Sequence, residues 1–338
     1  MKLIRFLLFP FVIFYGCFVV IRNSLFNLNI IKKNKTNIYS IGVGNLSLGG
    51  SGKSILVDYL ISENLKTNII SVISRGYGRK SSGFILANSK SNALEIGDEP
   101  FQYLNKYPKI KVAVAEKRAL AVKKISKLNA NIDLLIFDDI MQHRSILTNH
   151  LIITTTFNNP FFKDYLFPAG NLREFRIGRK RGNTILVTKC PKYLSIEDRV
   201  RFSNNLRLFS NQKAYFTTIS YSETIINSIK KINLQKIKNK KITLVTGIAD
   251  SSDLLIHLNS IKITFNHLKF RDHFNFDQKA ILKINKKAQH TIVLTTEKDY
   301  GRLSPLLKSD NLFYIPIKLS FFSKKEETEF NKRVKSFV

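Results

Sequence analysis

The apolar positions along the chain follow two periods that take turns. Short β-branched runs bounded by polar residues, at 36–44, 111–115, 151–155, 185–188, 214–219, 242–247, 291–295 and 313–316, predict buried strands. Between them lie stretches whose apolar residues recur at helical spacing, such as Ile55-Leu-Val-Asp-Tyr-Leu-Ile-Ser-Glu-Asn-Leu65 and 252–259. Alternation of strand and helix predicts an α/β fold on parallel sheet with helices on both faces. A first unit is expected over 36–210 and a second, smaller α/β unit over 211–338, closing over the cleft between them. The Lys/Asn/Ser-rich run 220–241 is expected to cover the crossing.

Residues 1–35 break this rhythm. From Phe6 to Ile21 nothing is charged; Lys2 and Arg5 precede the run, and Arg22, Lys32, Lys33 and Lys35 follow it. A spanning helix needs about 20 apolar residues, so the run is short for one, and it holds Pro10. No small-x-small cleavage site follows, which argues against a signal peptide. A spanning anchor, a helix lying in the interface and a buried core helix remain. The basic flanks favour membrane association, with an anionic membrane surface as partner, and keep the following domain cytoplasmic.

Composition narrows the field. The 338 residues include 44% hydrophobic residues and 26 Phe, which excludes a disordered chain. Cys17 and Cys190 are the only cysteines, so neither a disulfide scaffold nor a cysteine zinc cluster is available. The balance of 55 Lys+Arg against 24 Asp+Glu gives a formal charge of +31. That excess favours anionic partners: nucleic acid, anionic lipid or phosphorylated small molecules. The chain is also rich in Lys, Asn and Ile throughout, so the charge alone selects no function.

The strand at 36–44 runs into Asn45-Leu-Ser-Leu-Gly-Gly-Ser-Gly-Lys-Ser54, and a helical stretch follows. Strand, glycine loop, Lys-Ser and helix form the context of a P-loop. Gly49, Gly50 and Gly52 let backbone N–H groups turn inward around phosphate oxygens, with Ser51 between them and Ile55 opening the helix. Lys53 would reach the β- and γ-phosphates of ATP, and the Ser54 hydroxyl would ligate Mg²⁺. One residue departs from the full pattern: Ser47 stands where glycine is usual. The apolar run Ile132-Asp-Leu-Leu-Ile-Phe-Asp-Asp139 reads as a parallel strand ending in Asp138 and Asp139, where a carboxylate would hold Mg²⁺ directly or through water.

Further short segments are unusually particular: Ser74-Arg-Gly-Tyr-Gly-Arg79, Gly97-Asp-Glu-Pro100, Asp138-Asp-Ile-Met-Gln-His143, Phe167-Pro-Ala-Gly-Asn-Leu-Arg-Glu174 and Thr296-Glu-Lys-Asp-Tyr-Gly-Arg302. In this order, with the P-loop, the set resembles the tetraacyldisaccharide 4′-kinase family of lipid A biosynthesis. The resemblance implies an ATP- and Mg²⁺-dependent lipid kinase at the cytoplasmic face of the inner membrane. Its substrate would be the 4′-hydroxyl of a tetraacylated glucosamine disaccharide 1-phosphate, and its product lipid IVA. Neither nucleic acid nor a protein partner is expected. The family usually has Gly, Pro, Pro and His where this chain has Ile140, Ile55, Phe175 and Phe274; these departures concern local backbone geometry more than the reaction.

Phosphoryl transfer needs positioning, charge neutralisation and a group that takes or orients the acceptor proton. Asp98 is the candidate base, and by resemblance it pairs with His273. A helix cap ahead of Pro100 would also explain Asp98, and a bond to its neighbour Asp272 would explain His273. Ser74, Arg75 and Tyr77 are placed on the substrate side of the nucleotide. Gln142 and His143 are placed behind the metal ligands, and Arg173 and Glu174 near the sugar or metal. A loop-stabilising hydrogen bond explains each of these equally well. Glu297 and Asp299 fit a helix start, and by resemblance the segment around Lys298 lies near the nucleotide. The rival readings are a P-loop NTPase acting on nucleic acid, a GTPase, and a membrane-bound scaffold without activity. Thr188-Lys-Cys-Pro191 lacks the Asp a GTPase needs.

Overall fold

Tyr39–Asn45 carries small or apolar residues on both faces and is buried almost throughout. Such a strand has no solvent side, so it belongs inside a covered parallel sheet. The computed structural model describes residues 8–128, 131–307 and 309–335 and puts it there. It lies between Leu134–Phe137 and His150–Thr156, parallel to both, with Ile41 opposite Ile136 on one side and His150 on the other. The full order of this nine-stranded sheet is Ile317–Phe321, Lys213–Tyr221, Thr184–Thr188, His150–Thr156, Tyr39–Asn45, Leu134–Phe137, Ile70–Ser74, Lys111–Val114 and Ile85–Leu86. From the P-loop strand the chain winds to one side, returns through the acidic strand, then winds to the other. The crevice outside such a reversal is where open α/β sheets bind ligands.

The second sheet has six strands in the order Lys231–Asn233, Thr224–Ile226, Leu312–Ile315, Ile292–Thr296, Ile242–Thr246 and Phe265–Lys269. It has its own apolar cores, one around Leu244, Leu258 and Phe313 and another around Val245, Ile284 and Leu303. Two sequence expectations need correction here. The polar run 220–241 is not a plain crossing: it forms Thr224–Ile226 and Lys231–Asn233, because Ile225, Leu234 and Ile237 alternate inward into that core. Nor does the second unit keep everything from 211 to 338. Lys213–Tyr221 pairs parallel with Thr184–Thr188, and Ile317–Phe321 adds antiparallel beside it. The closing helix Lys324–Lys335 buries Phe330 and Val334 in the P-loop core. Tyr59 of the P-loop helix bonds Glu327 and Asn331 of that closing helix.

The N-terminal helix Phe9–Asn27 is 19 residues, about 28 Å at 1.5 Å per residue, and is long and apolar enough to cross a membrane. Lys2 and Arg5 lie outside the described residues. Gly16, Val19 and Phe26 face the protein, whereas Phe11, Ile13, Phe14, Phe18 and Ile21 are exposed. Gly16 lets the Phe175 ring approach: an added Cβ would lie 3.1 Å from it. Tyr15 donates to the Arg173 carbonyl at 2.9 Å, and Arg144 donates to the Asn23 carbonyl at 2.8 Å. The helix is therefore joined to the loop that carries Arg173.

Removing the Phe330 ring should cost as much as emptying a site in the P-loop core itself. Phe330→Ala is expected to lower unfolding free energy by about 3–5 kcal/mol in urea titration. A loss under about 1 kcal/mol would mean the closing helix is not part of that core.

Candidate active site

The P-loop turns at Gly52, whose φ of +82° is left-handed and whose absent Cβ would meet the Thr188 side chain at 3.0 Å. Thr188 donates to the Ser51 carbonyl at 2.9 Å, and the Ser51 and Thr154 hydroxyls lie 2.8 Å apart. The loop is thus held from beneath by two neighbouring strand ends, and the helix Lys53–Asn64 starts directly from it. Lys53 reaches back to Asn45 Oδ1 at 3.2 Å and to Asp139 at 3.6 Å.

The two carboxylates at the end of the acidic strand lead different lives. Asp139, in a left-handed backbone position (φ +51°), is gripped by both terminal nitrogens of Arg173, at 2.8 and 3.1 Å. Burial alone would raise its carboxyl, but the Arg173 hydrogen bonds and the Lys53 charge hold it far below the usual range. Asp138 is buried, and no cation among the described residues pairs with it. Burial pushes it up to about 7, with the charges of Glu99 and Asp139 adding to the effect. The fully buried Tyr103 hydroxyl lies 3.5 Å from Asp138 and also against Ser54. Of the three expected metal ligands, Ser54 and Asp138 are therefore open, and Asp139 is committed to Arg173.

Gly97 (φ +93°) packs so closely on Gly76 that an added Cβ would come within 2.9 Å of its backbone. That contact sets the Arg75–Tyr77 turn against the start of the helix Asp98–Lys106. Asp98 Oδ2 and His273 Nδ1 are 2.8 Å apart. The pair is already made, so no further closing of the cleft is needed to form it. Tyr77 meets the His273 ring edge-on at 5.5 Å. Burial works to raise Asp98, but the His273 hydrogen bond and the charges of Arg302 and Lys298 outweigh it and leave the carboxyl lowered.

The partner of the Asp98 helix is Glu297–Leu307, from the second sheet. Arg302 lies 3.6 Å from Asp98 at one end, and Lys106 lies 3.2 Å from Glu297 and 2.9 Å from Asp58 at the other. Between them an added Cβ on Gly301 would touch Phe101 at 3.5 Å.

The remaining expected site residues divide. Arg75 and Tyr77 are exposed at the mouth, and Ser74 is buried, accepting from the Gly76 N–H at 3.4 Å. Burial, aided by the Arg118 charge, pushes His143 down to about 4, so it is a neutral imidazole at pH 7. Glu174 does not face an open site. It is fully buried, paired with Arg181 and accepting from Gln142 at 3.1 Å, so it and Gln142 brace the loop. Sequence reasoning passed over Asn45, Arg118 and Arg302 as site residues, and placed Lys298 only by resemblance, near the nucleotide. Asn45, Lys298 and Arg302 stand inside quoted motifs. Arg118 gave no signal: it opens a Lys-rich helix that reads as a solvated face, yet it is buried beside the acidic pair with Nε and Nη2 unpartnered.

Comparison with known proteins agrees along the whole chain. The family model described as tetraacyldisaccharide-1-P 4′-kinase matches residues 4–337. The tetraacyldisaccharide 4′-kinase of Flavobacterium psychrophilum is 42% identical, covering 100% of this chain and 98% of its own length. That of Phocaeicola vulgatus is 34% identical over 98% of this chain and 94% of its own. The crystal structure of LpxK from Aquifex aeolicus in complex with ATP superposes with a TM-score of 0.78 at 25% identity, covering 98% of this chain and 99% of that one.

The raised Asp138 carboxyl has a thermal signature. An unfolded Asp titrates near 3.9 and the folded one at about 7, so the nucleotide-free protein loses stability as pH rises through that window. In chelator without nucleotide, Asp138→Asn should therefore raise the melting temperature, and more so at pH 8 than at pH 5. An equal change at both pH values would contradict the shift.

Proposed function

The chain belongs to the tetraacyldisaccharide 4′-kinase family, and we propose that its P-loop, the Asp98–His273 pair and the Ser54/Asp138 donors carry out the transfer together. The protein is a lipid kinase that phosphorylates the 4′-position of the lipid A precursor, with ATP as donor. The acceptor is a tetraacylated glucosamine disaccharide 1-phosphate, and the product is the bis-phosphorylated lipid IVA. The 4′-oxygen attacks the γ-phosphorus. A new O–P bond forms as the bond to the β-bridging oxygen breaks. ADP leaves with that electron pair, and the hydroxyl proton passes to Asp98. The observation that carries this reading is the 2.8 Å contact that brings His273, from the second sheet, onto Asp98 beside the P-loop sheet. A carboxylate kept below its usual range is ionised at pH 7 and ready to accept.

Lys53 and the loop amides hold the β- and γ-phosphates, and Arg173 keeps Asp139 and Asn45 in register with Lys53. Arg75 and Tyr77, exposed at the mouth, meet the acceptor sugar. Ser54 and Asp138 fit Mg²⁺: both offer oxygen, both touch the Tyr103 hydroxyl, and Asp138 is a buried carboxylate in need of a cation. A kinase Mg²⁺ takes only one or two side chains besides phosphates and water, which suits so sparse a set. When bound, the ion neutralises charge on the β- and γ-phosphate oxygens. The helix Phe9–Asn27 attaches the enzyme to the inner membrane, with the kinase on the cytoplasmic face and the excess of basic residues toward anionic headgroups.

The direct assay is transfer of labelled γ-phosphoryl to the tetraacylated disaccharide 1-phosphate in detergent micelles. Lys53→Ala should abolish it. Asp98→Asn should lower kcat by about a hundredfold or more with little change in ATP affinity, and His273→Ala by less. ATP hydrolysis that is lost in Lys53→Ala, without label on the lipid, would keep the nucleotide site and overturn the acceptor. Combining Phe11→Ser, Phe14→Ser and Phe18→Ser should cut partition into anionic vesicles by more than about tenfold, leaving turnover in micelles intact. Unchanged partition would remove the anchor.

A further inference from the structure

Lys298 stands in Thr296-Glu-Lys-Asp299, a segment the mechanism above leaves without a task. Its Nζ lies 2.9 Å from His273 Nε2, on the opposite side of the ring from Asp98. Carboxylates of Glu99 and Asp272, each 3.7 Å away, flank the ammonium. The loop that presents His273 is pinned. The His273 N–H donates to the Gly247 carbonyl at 3.1 Å, and the Gly247 N–H donates to Asp299 at 2.8 Å.

We propose that Lys298 is a positioning residue that fixes the His273 tautomer, so that the ring N–H holds the Asp98 carboxylate in place to accept the 4′-hydroxyl proton. This inference rests on the Asp98–His273 reading. An ammonium only donates, so Nε2 must offer its lone pair to Lys298. The ring hydrogen then sits on Nδ1 and points at Asp98. The groups facing this imidazole are Asp98, Asp272, Lys298 and Tyr77, with Arg302 against Asp98 and Glu99 behind Lys298. Without Lys298, nothing fixes which ring nitrogen carries the hydrogen. With the hydrogen on Nε2, Nδ1 would present a lone pair to the Asp98 carboxylate and the contact would be lost.

The test pairs ¹⁵N-histidine NMR of the full-length enzyme in micelles with separate measurement of kcat and KM. His273→Gln identifies the His273 signals among the six histidines. In the wild type at pH 7, Nε2 should be unprotonated and Nδ1 protonated. In Lys298→Met, the Nε2-protonated tautomer should appear. Turnover should fall by about tenfold in kcat with KM little changed. Lys298→Arg should restore both readouts. A protonated Nε2 in the wild type, a measurement that needs no variant, would overturn the proposal. So would an unchanged kcat in Lys298→Met while His273→Ala lowers kcat. If His273→Ala leaves kcat unchanged, the base reading itself fails, and the tautomer measurement still decides the Lys298 contact separately.

Discussion

Helix Asp98–Lys106 packs with the first sheet and helix Glu297–Leu307 with the second, and they meet in opposite directions along their length. Asp98 faces Arg302 and His273 at one end, and Lys106 faces Glu297 and Asp58 at the other. Charges taken out of water must be paired or they cost several kcal/mol each. Sliding this contact by one helical turn, about 5.4 Å, would strand carboxylates and cations at both ends. The charges therefore define a register more than they add stability. The register decides whether a histidine from one sheet reaches a carboxylate on the other. The glycine loop, rooted in Thr154 and Thr188, is independent of this contact; the Asp98–His273 pair depends on it entirely.

The acidic pair follows the same logic over a shorter distance. Two adjacent carboxylates at a strand end repel, and the site separates them by pairing Asp139 with the Arg173 guanidinium and leaving Asp138 buried with no paired cation among the described residues. A buried carboxylate with no paired cation costs the protein stability. Arg173 ties Asp139 to Asn45 beside Lys53.

The sequence made the fold and the nucleotide site legible because both rest on local signals. Strand periodicity, the glycine loop and the acidic strand end each reflect backbone needs that a few neighbouring residues state openly. What it hid was long-range. Ile317–Phe321 and Lys324–Lys335 return to the first sheet because Phe330 fits beneath Tyr59 and Phe321, a fit no local pattern announces. Glu174 read as a site residue because it sits beside Arg173; burial with Arg181 turns it inward. Arg118 looked like one more solvated cation in a basic chain. In a protein with a formal charge of +31, a buried arginine is camouflaged by its own abundance.

The Tyr15 hydroxyl, on the apolar N-terminal helix, holds the carbonyl of the residue whose side chain grips Asp139. An anchor that served only as an address label would be interchangeable with any other greasy segment. This one is a working part of the fold it begins. A foreign apolar segment grafted in its place would leave the kinase with one of its supports missing. Modularity, the usual privilege of a terminal helix, ends here at its contacts with Arg173, Phe175 and Arg144.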